Sequence, residues 1–227
     1  MKNKKNVSSL KRLLLILVCL YSTNVLSQEI YSKKGFSLEI KNTDPDLNQS
    51  VKQSLIDTYF AVYPVLARYY NIHTVKEVTF LIDTSYTGVA EAGGRQVRIN
   101  PKWLKQHPND FDLITHEVMH LVQNYPSDAG PWWLTEGIAD YVRYVFGVDN
   151  ALGGWSLPEY SPDQNYDNSY RITARFLLWI ENEVKPGTVK QLDHAMRTRT
   201  YKPESWREIT GLSVDELWAK YAANPKI

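Results

Sequence analysis

Apolar and polar positions follow a two-residue period in several short stretches of the first half of the chain. Residues 36–40 alternate as a half-buried strand does, and residues 77–82 and 97–100 are also strand-like. Between the last two, residues 84–94 are rich in glycine and small side chains, which predicts an edge strand or a loop that another backbone can approach closely. Residues 47–70 instead have a helical period, which predicts a long amphipathic helix. Its apolar stripe consists of Val51, Leu55, Tyr59 and Val62.

The second half of the chain has a helical period from residues 108–110 onward. The apolar side of the first helix there consists of Phe111, Ile114, Val118, Leu121 and Val122, and residues 125–131 end it. The pattern then predicts a helix over residues 132–146, a loop over 147–168, and helices near 170–183, 189–197 and 213–222. This order predicts an α+β fold, with a small mixed sheet and helices to about residue 125 and a mostly helical part over residues 131–227.

The first 27 residues are typical of a signal peptide. A positive leader precedes an apolar run at residues 13–20, and small residues lead to a cleavage site after Ser27. The apolar run is much shorter than the ~20 residues of a membrane-spanning helix, which disfavours an uncleaved anchor. Cys19 raises the alternative of a lipidated cysteine, but Val18 stands where a small residue is required. We therefore expect residues 28–227 to be one secreted or periplasmic domain without an integral membrane span.

Removal of the leader changes the charge and the available metal ligands. Five of the 26 basic residues and none of the 25 acidic residues lie in the leader, so the mature chain carries about −4. This balance does not suggest a nucleic-acid partner or an acidic membrane surface. The only cysteine also lies in the leader. Metal binding in the mature chain therefore has to rest on histidine and carboxylate side chains.

Aromatic residues are abundant, with 15 tyrosines and 7 tryptophans. We expect most of them to fill the core and its rim. The alternative is that some of them line an extended substrate groove.

The segment from His116 to His120 has the sequence His-Glu-Val-Met-His. On a helix, positions four apart share one face, so His116 and His120 can present two imidazoles to one metal ion. Glu117 lies beside the first of these ligands and can act as a general base towards a water on that metal. A single histidine on an apolar helix face is usually a core residue. Two histidines at this spacing around a glutamate are typical of metal ligands.

A carboxylate in the next predicted helix can complete the ligand set. Glu136 lies sixteen residues after His120 and would supply the third ligand of a two-histidine, one-glutamate site, which leaves the fourth position for water. Asp140 follows one helical turn later and can bind the far nitrogen of a ligand histidine. The structural alternatives are that Glu136 is a solvated acid near a helix start and that Asp140 is an exposed helical acid. His73, His107 and His194 lack a partner at ligand spacing and are expected to be surface or structural residues.

Two segments of the chain together resemble the plant basic secretory protein family and its bacterial relatives, which are gluzincin-like metallopeptidases. They are residues 116–120 and the Trp-Leu-Thr-Glu-Gly-Ile-Ala-Asp-Tyr sequence of residues 133–141. The resemblance extends from about Phe36 to Trp218. It implies a zincin-like fold with an active-site helix that carries the His-Glu-x-x-His motif. It further implies one zinc ion held by His116, His120 and Glu136, with Glu117 as the catalytic base. Family members named basic are positively charged, whereas this mature chain is slightly acidic.

A peptidase also needs a donor for the oxyanion that forms at the scissile carbonyl. Residues 166–169 resemble the Tyr-x-x-Gly segment that supplies this tyrosine in gluzincin aminopeptidases, with Ser169 in place of glycine. Tyr166 is the first candidate, Tyr170 the second, and Arg171 a third group that can bind substrate. The alternative is that Tyr166 only packs on the following helix. Around Ala90, the small-residue segment can pair with the substrate backbone as an added strand.

We therefore expect a secreted zinc metallopeptidase, acting as a monomer on a peptide or protein substrate. One rival is a binding protein that keeps the fold without turnover and grips cell-wall peptides or glycans, although Glu117 argues against it. A closed structural zinc site would need a fourth ligand, often cysteine, which the mature chain lacks. An aminopeptidase would need acidic groups for a free α-amine, and Glu91 is a possible candidate.

Overall fold

A computed structural model describes residues 27–227, with a five-stranded sheet in the first half of this range and most of the helices in the second. The strands are β1 (Ser27–Lys33), β2 (Phe36–Asn42), β3 (Glu77–Ile82), β4 (Ala90–Gly93) and β5 (Gln96–Ile99). The first four α-helices are α1 (Gln49–Tyr69), α2 (Pro101–Gln106), α3 (Leu113–Gln123) and α4 (Trp132–Phe146). The others are α5 (Tyr170–Glu183), α6 (Thr188–Arg197), α7 (Ser205–Thr210) and α8 (Val214–Ala223). The α+β prediction with a small mixed N-terminal sheet is thus confirmed.

The strand order in the sheet is β1-β2-β3-β5-β4. The pairs β2/β3 and β3/β5 are parallel, whereas β1 and β4 pair antiparallel with their neighbours at the two edges. The small-residue segment predicted as an edge strand or loop is therefore the edge strand β4. One side of that strand is left without a partner strand among the described residues.

Helix α1 packs on the sheet through its predicted apolar stripe. Val51, Leu55, Tyr59 and Val62 are all buried, and the Tyr59 ring lies edge-on to Phe80 of β3 at 5.6 Å. Helix α3 contacts α1 on one side and β4 and β5 on another, while α4 packs against both α3 and α5. Helix α3 therefore stands at the junction between the sheet and the C-terminal helices.

Aromatic side chains fill the space between the C-terminal helices. The Phe176 ring of α5 lies within 5.2–6.4 Å of the rings of Trp179, Trp206, Trp218, Tyr221 and Tyr166. Most of the tryptophans thus belong to the core or its rim, as expected. None of the helices in residues 27–227 is long and apolar enough to cross a membrane.

Three elements were missing from the sequence-based prediction, namely β1, α2 and α7. Strand β1 has few apolar residues, and its Ile30 is exposed, because the strand is at the sheet edge. Helix α2 begins at Asn100-Pro101, where Asn100 accepts a hydrogen bond from the Lys102 backbone and proline occupies the first turn. The predicted signal peptide lies outside the described residues except for Ser27, the first residue of β1.

Candidate metal centre

Helices α3 and α4 bring three potential ligands together. The Nε2 atoms of His116 and His120 lie 3.1 Å apart, and Oε2 of Glu136 is 3.3 Å from the first and 3.5 Å from the second. Zinc bonds of about 2.0–2.2 Å in a tetrahedron place neighbouring ligand atoms about 3.3–3.6 Å apart, close to the distances observed here. The spacing therefore suits one zinc ion. This is also the one group of three convergent metal-ligating side chains found within residues 27–227.

The ring of His116 is oriented by Asp140. Nδ1 of His116 lies 2.7 Å from Oδ1 of Asp140, whose side chain is only 6% exposed. Because a carboxylate accepts, Nδ1–H donates, and Nε2 faces Glu136, where a metal ion would replace the second proton of the imidazole. Asp140 is thus buried against a candidate ligand rather than exposed on its helix.

Acidic side chains make this centre favourable for positive charge. Burial opposes protonation of His116, but hydrogen bonds to Asp140 and Glu136 raise its pKa to about 10. Burial would raise the pKa of Glu136, but the imidazoles of His116 and His120 hold it at about 2. Glu136 is therefore ionised, and a cation among these residues is electrostatically stabilised. For Glu117, burial is the largest effect and raises the pKa, which suits a general base at neutral pH.

The end of α4 is held near the start of α3 by hydrogen bonds to Asp112. Asp112, which precedes α3, accepts hydrogen bonds from the backbone nitrogens of Val148 (2.8 Å) and Asp149 (2.6 Å) just beyond α4. Helix α3 was expected from residues 108–110 onward, but it begins at Leu113.

At Gly137, next to Glu136, a Cβ atom would lie only 2.2 Å from Cγ2 of Thr173 in α5. Glycine thus permits the close contact between α4 and α5.

The metal-ligating side chains lie in an open cleft of about 1070 Å³. Its walls include Glu117 and residues of β4, α2, α4 and the start of α5. Two of the sequence-predicted substrate-binding residues, Ala90 and Arg171, are among them. Arg171 is exposed, and its Nη1 donates to the Ser156 backbone oxygen at 3.3 Å. A cleft of this size next to the ligand set is large enough for several residues of a peptide.

The two candidate tyrosines occupy different places. Tyr170 lines the cleft, and its ring is stacked on His116 with a centroid distance of 6.2 Å and an interplanar angle of 18°. Tyr166, the first candidate, is not among the residues that line the cleft. Its hydroxyl donates to Oδ1 of Asp215 at 2.9 Å, and its ring packs against Trp133 and Trp218. The geometry therefore brings Tyr170 to the candidate metal centre. Tyr166 instead packs against other aromatic side chains, which corresponds to the alternative considered for it above.

The backbone before α5 has an unusual conformation. Ser169 has φ 67° and ψ 178°, a region that glycine normally occupies, and Tyr170 also has a positive φ of 47°. Ser169, which stands at the glycine position of the Tyr-x-x-Gly pattern, thus has a backbone conformation that is typical of glycine. These two residues turn the chain so that the Tyr170 side chain enters the cleft.

Residues 24–221 match the model of the BSP family, whose members are described as peptidases of plants and bacteria. This chain belongs to that family. The match includes both the sheet and most of the helical part, and it confirms the resemblance inferred from the motif. None of the curated proteins matches the chain significantly.

The fold of this BSP-family protein is similar to the crystal structure of a two-domain M1 zinc metallopeptidase mutant bound to L-tryptophan. The two share 10% sequence identity with a TM-score of 0.51, and the alignment covers 88% of this chain and 52% of the other. At this identity, the similarity supports a common fold. The chain of this BSP-family protein spans about half the length of that two-domain protein.

Sequence reasoning missed one contact of the BSP-family centre, at Gln123. Its Oε1 lies 2.7 Å from Nδ1 of His120, and its Nε2 donates to the Thr135 backbone oxygen at 2.9 Å. Gln123 is 1% exposed and lies one turn after His120. A buried amide three residues beyond a ligand histidine is the signal that could have identified it. Through this residue, the His120 ring is fixed and α3 is joined to the start of α4.

Proposed function

We propose that this BSP-family peptidase is a secreted zinc metallopeptidase of the gluzincin type. The observation that carries the proposal is the convergence of His116, His120 and Glu136 at tetrahedral spacing, 3.1–3.5 Å, beside the carboxylate of Glu117. The family match and the fold similarity support peptidase chemistry. The leader sequence supports export, which fits a site without thiol ligands.

His116, His120 and Glu136 would hold the zinc ion. Asp140 and Gln123 would keep both imidazoles in the tautomer that presents Nε2, through the 2.7 Å contact that each makes to Nδ1. When bound, zinc lowers the pKa of a water molecule to about 7 and polarises the scissile carbonyl.

Glu117 would move the proton. Its carboxylate takes a proton from the attacking water and then delivers it to the nitrogen of the leaving amine. Because burial raises the pKa of Glu117, its carboxylate is a stronger base than that of an exposed glutamate. Its burial, with 8% of the residue exposed, also limits competition from bulk water.

Tyr170 would stabilise the oxyanion. Its side chain lines the same cleft as Glu117, and its ring is stacked on His116. Burial raises the pKa of the Tyr170 hydroxyl, and the charge of Glu136 adds to this effect, so the hydroxyl keeps its proton for donation at neutral pH. Arg171 would bind the substrate at the rim of the cleft.

The unpaired side of β4 would bind the substrate backbone. Val89 and Asn100 pair with each other beside the ends of β4 and β5. The Asn100 backbone nitrogen donates a 3.1 Å hydrogen bond to the Val89 oxygen. In an antiparallel ladder such pairs alternate, so the backbone polar groups of Ala90 and Ala92 point to the opposite side. A substrate in extended conformation could add to this edge as a strand. The Tyr86 hydroxyl donates to the Ala90 oxygen at 3.2 Å and would be displaced.

The test is cleavage of a diverse peptide library by the purified protein before and after removal of divalent metal. We expect cleavage that is lost on chelation and restored by about one equivalent of zinc, with the fold retained. Full cleavage by metal-free, folded protein would overturn the proposal. Zinc-dependent peptide binding without any cleavage would support the binding-protein alternative instead.

A further inference from the structure

The end of the cleft away from Gln123 contains two tryptophans joined through a buried ion pair. Trp103 Nε1 donates to Oδ2 of Asp110 at 2.9 Å, and Arg143 Nη2 donates to Oδ1 of the same carboxylate at 2.5 Å. The guanidinium carbon of Arg143 lies 4.5 Å from the centroid of the Trp155 ring. All four residues line the cleft. We call these residues, Trp103, Asp110, Arg143 and Trp155, the tryptophan subsite.

The ion pair at the base of the tryptophan subsite is electrically balanced. The Asp110 and Arg143 side chains are 8% and 7% exposed, and each carboxylate oxygen already accepts a hydrogen bond. Arg143 also donates from Nε to Oδ1 of Asn150 at 3.0 Å. A charged substrate side chain would lose hydration here without an unpaired opposite charge in return. The subsite therefore favours a neutral group.

The other residues at the tryptophan subsite are an aromatic imidazole, a leucine and a glycine. His107 is stacked on Trp103 at a centroid distance of 3.8 Å, and Leu113 and Gly153 also line this end of the cleft. Leu113 precedes His116 by three residues on α3, so the two lie on neighbouring positions of one helix face. A substrate residue at the scissile bond can thus extend its side chain into the subsite.

We propose that the tryptophan subsite makes the enzyme selective for a large aromatic side chain next to the scissile bond. Aromatic rings stack favourably on indole faces and gain from burial, whereas aliphatic or charged side chains gain less. The buried ion pair holds Trp103 through a hydrogen bond and Trp155 through its cation–π contact, which keeps both rings in place before substrate binds. This inference rests on the proposed peptidase function.

The test compares two peptides that differ only by phenylalanine or alanine beside the scissile bond. We expect kcat/KM to be at least about tenfold higher for the phenylalanine peptide, since even one methylene group gives about this discrimination in an apolar pocket. In Trp155→Leu this ratio should fall at least about tenfold, whereas Trp155→Phe should retain most of it. Tyr144→Leu, an exposed aromatic position on α4 outside the cleft, is the control and should keep the wild-type ratio.

An unchanged ratio in Trp155→Leu, or a preference for an aspartate peptide over the phenylalanine peptide, would overturn the aromatic subsite. Failure of the peptidase function is separable, because binding of both peptides to zinc-loaded Glu117→Gln protein is measured in parallel by calorimetry. Tighter binding of the phenylalanine peptide that is lost in Glu117→Gln/Trp155→Leu supports the subsite even without turnover. Equal binding of the two peptides contradicts it.

Discussion

Nδ1 of His116 lies 2.7 Å from Oδ1 of Asp140, one helical turn beyond Glu136. Helix α4 therefore supplies both a candidate metal ligand and the acid that orients another ligand. In the His116 ring, Nε2 contacts the carboxylate of Glu136 and Nδ1 contacts the carboxylate of Asp140. It is the closest link between the two helices that form the centre.

Replacement of Asp140 by asparagine should weaken zinc binding about 10–100-fold, the usual cost of losing such a contact. The amide is neutral, so His116 loses the charge that makes its ring a better ligand. Competition with a chromophoric chelator measures the affinity. Asp128→Asn makes the same change at an exposed position and should leave the affinity unchanged. Equal affinities in all three proteins would show that Asp140 does not support the metal site.

The roles of Tyr166 and Tyr170 can be distinguished by removing the hydroxyl group of each in turn. Tyr170→Phe should lower kcat about 10²–10³-fold, the usual effect of removing an oxyanion donor, with a much smaller change in KM. Tyr166→Phe loses only the hydrogen bond to Asp215 and should change kcat by less than about twofold. Its free energy of unfolding should fall by about 1 kcal/mol. The opposite order of the two kcat values would restore Tyr166 as the donor.

Gly137→Ala should destabilise the protein by about 1–3 kcal/mol, as overpacking of a close helix contact does. Its new Cβ atom would meet the methyl group of Thr173 at 2.2 Å. Urea unfolding measures the change, and Gly93→Ala, where no atom lies within 4 Å of the added carbon, is the control.

Thr173→Ser removes that methyl group and retains the hydroxyl that donates to the Tyr166 backbone oxygen. The double variant Gly137→Ala/Thr173→Ser should therefore lose less free energy than the two single changes together. Strict additivity would mean that the Thr173 methyl group is not what requires glycine at position 137.

The elements with a strong period were predictable from sequence, and so was the placement of three candidate metal ligands on two of them. Helix α4 and helix α5 have the predicted bounds, and α3 carries both histidines on one face. Helix periodicity predicts that His116 and His120 share one helix face, because they are four positions apart. It also predicts that Asp140 lies one turn beyond Glu136, but it does not show which histidine ring Asp140 contacts.

Contacts between distant segments could not be predicted in this way. The ion pair of Asp110 with Arg143 joins residues 33 positions apart, and no local period relates them. Residues 108–110 were interpreted as the beginning of a helix, whereas Asp110 bonds Trp103 and Arg143. Tyr166 and Tyr170 lie close in sequence, and no local period shows which of the two side chains enters the cleft.

The central claim is that Glu117 acts as the base of a zinc-dependent peptidase. The most direct measurement compares zinc content and peptide cleavage for wild-type protein and Glu117→Gln, with Glu183→Gln as the exposed control on α5. The amide cannot accept the proton, so Glu117→Gln should bind one equivalent of zinc and lose at least about 10²-fold in kcat. The control should match wild type in both respects. Zinc-loaded Glu117→Gln protein that cleaves at the wild-type rate would contradict this account.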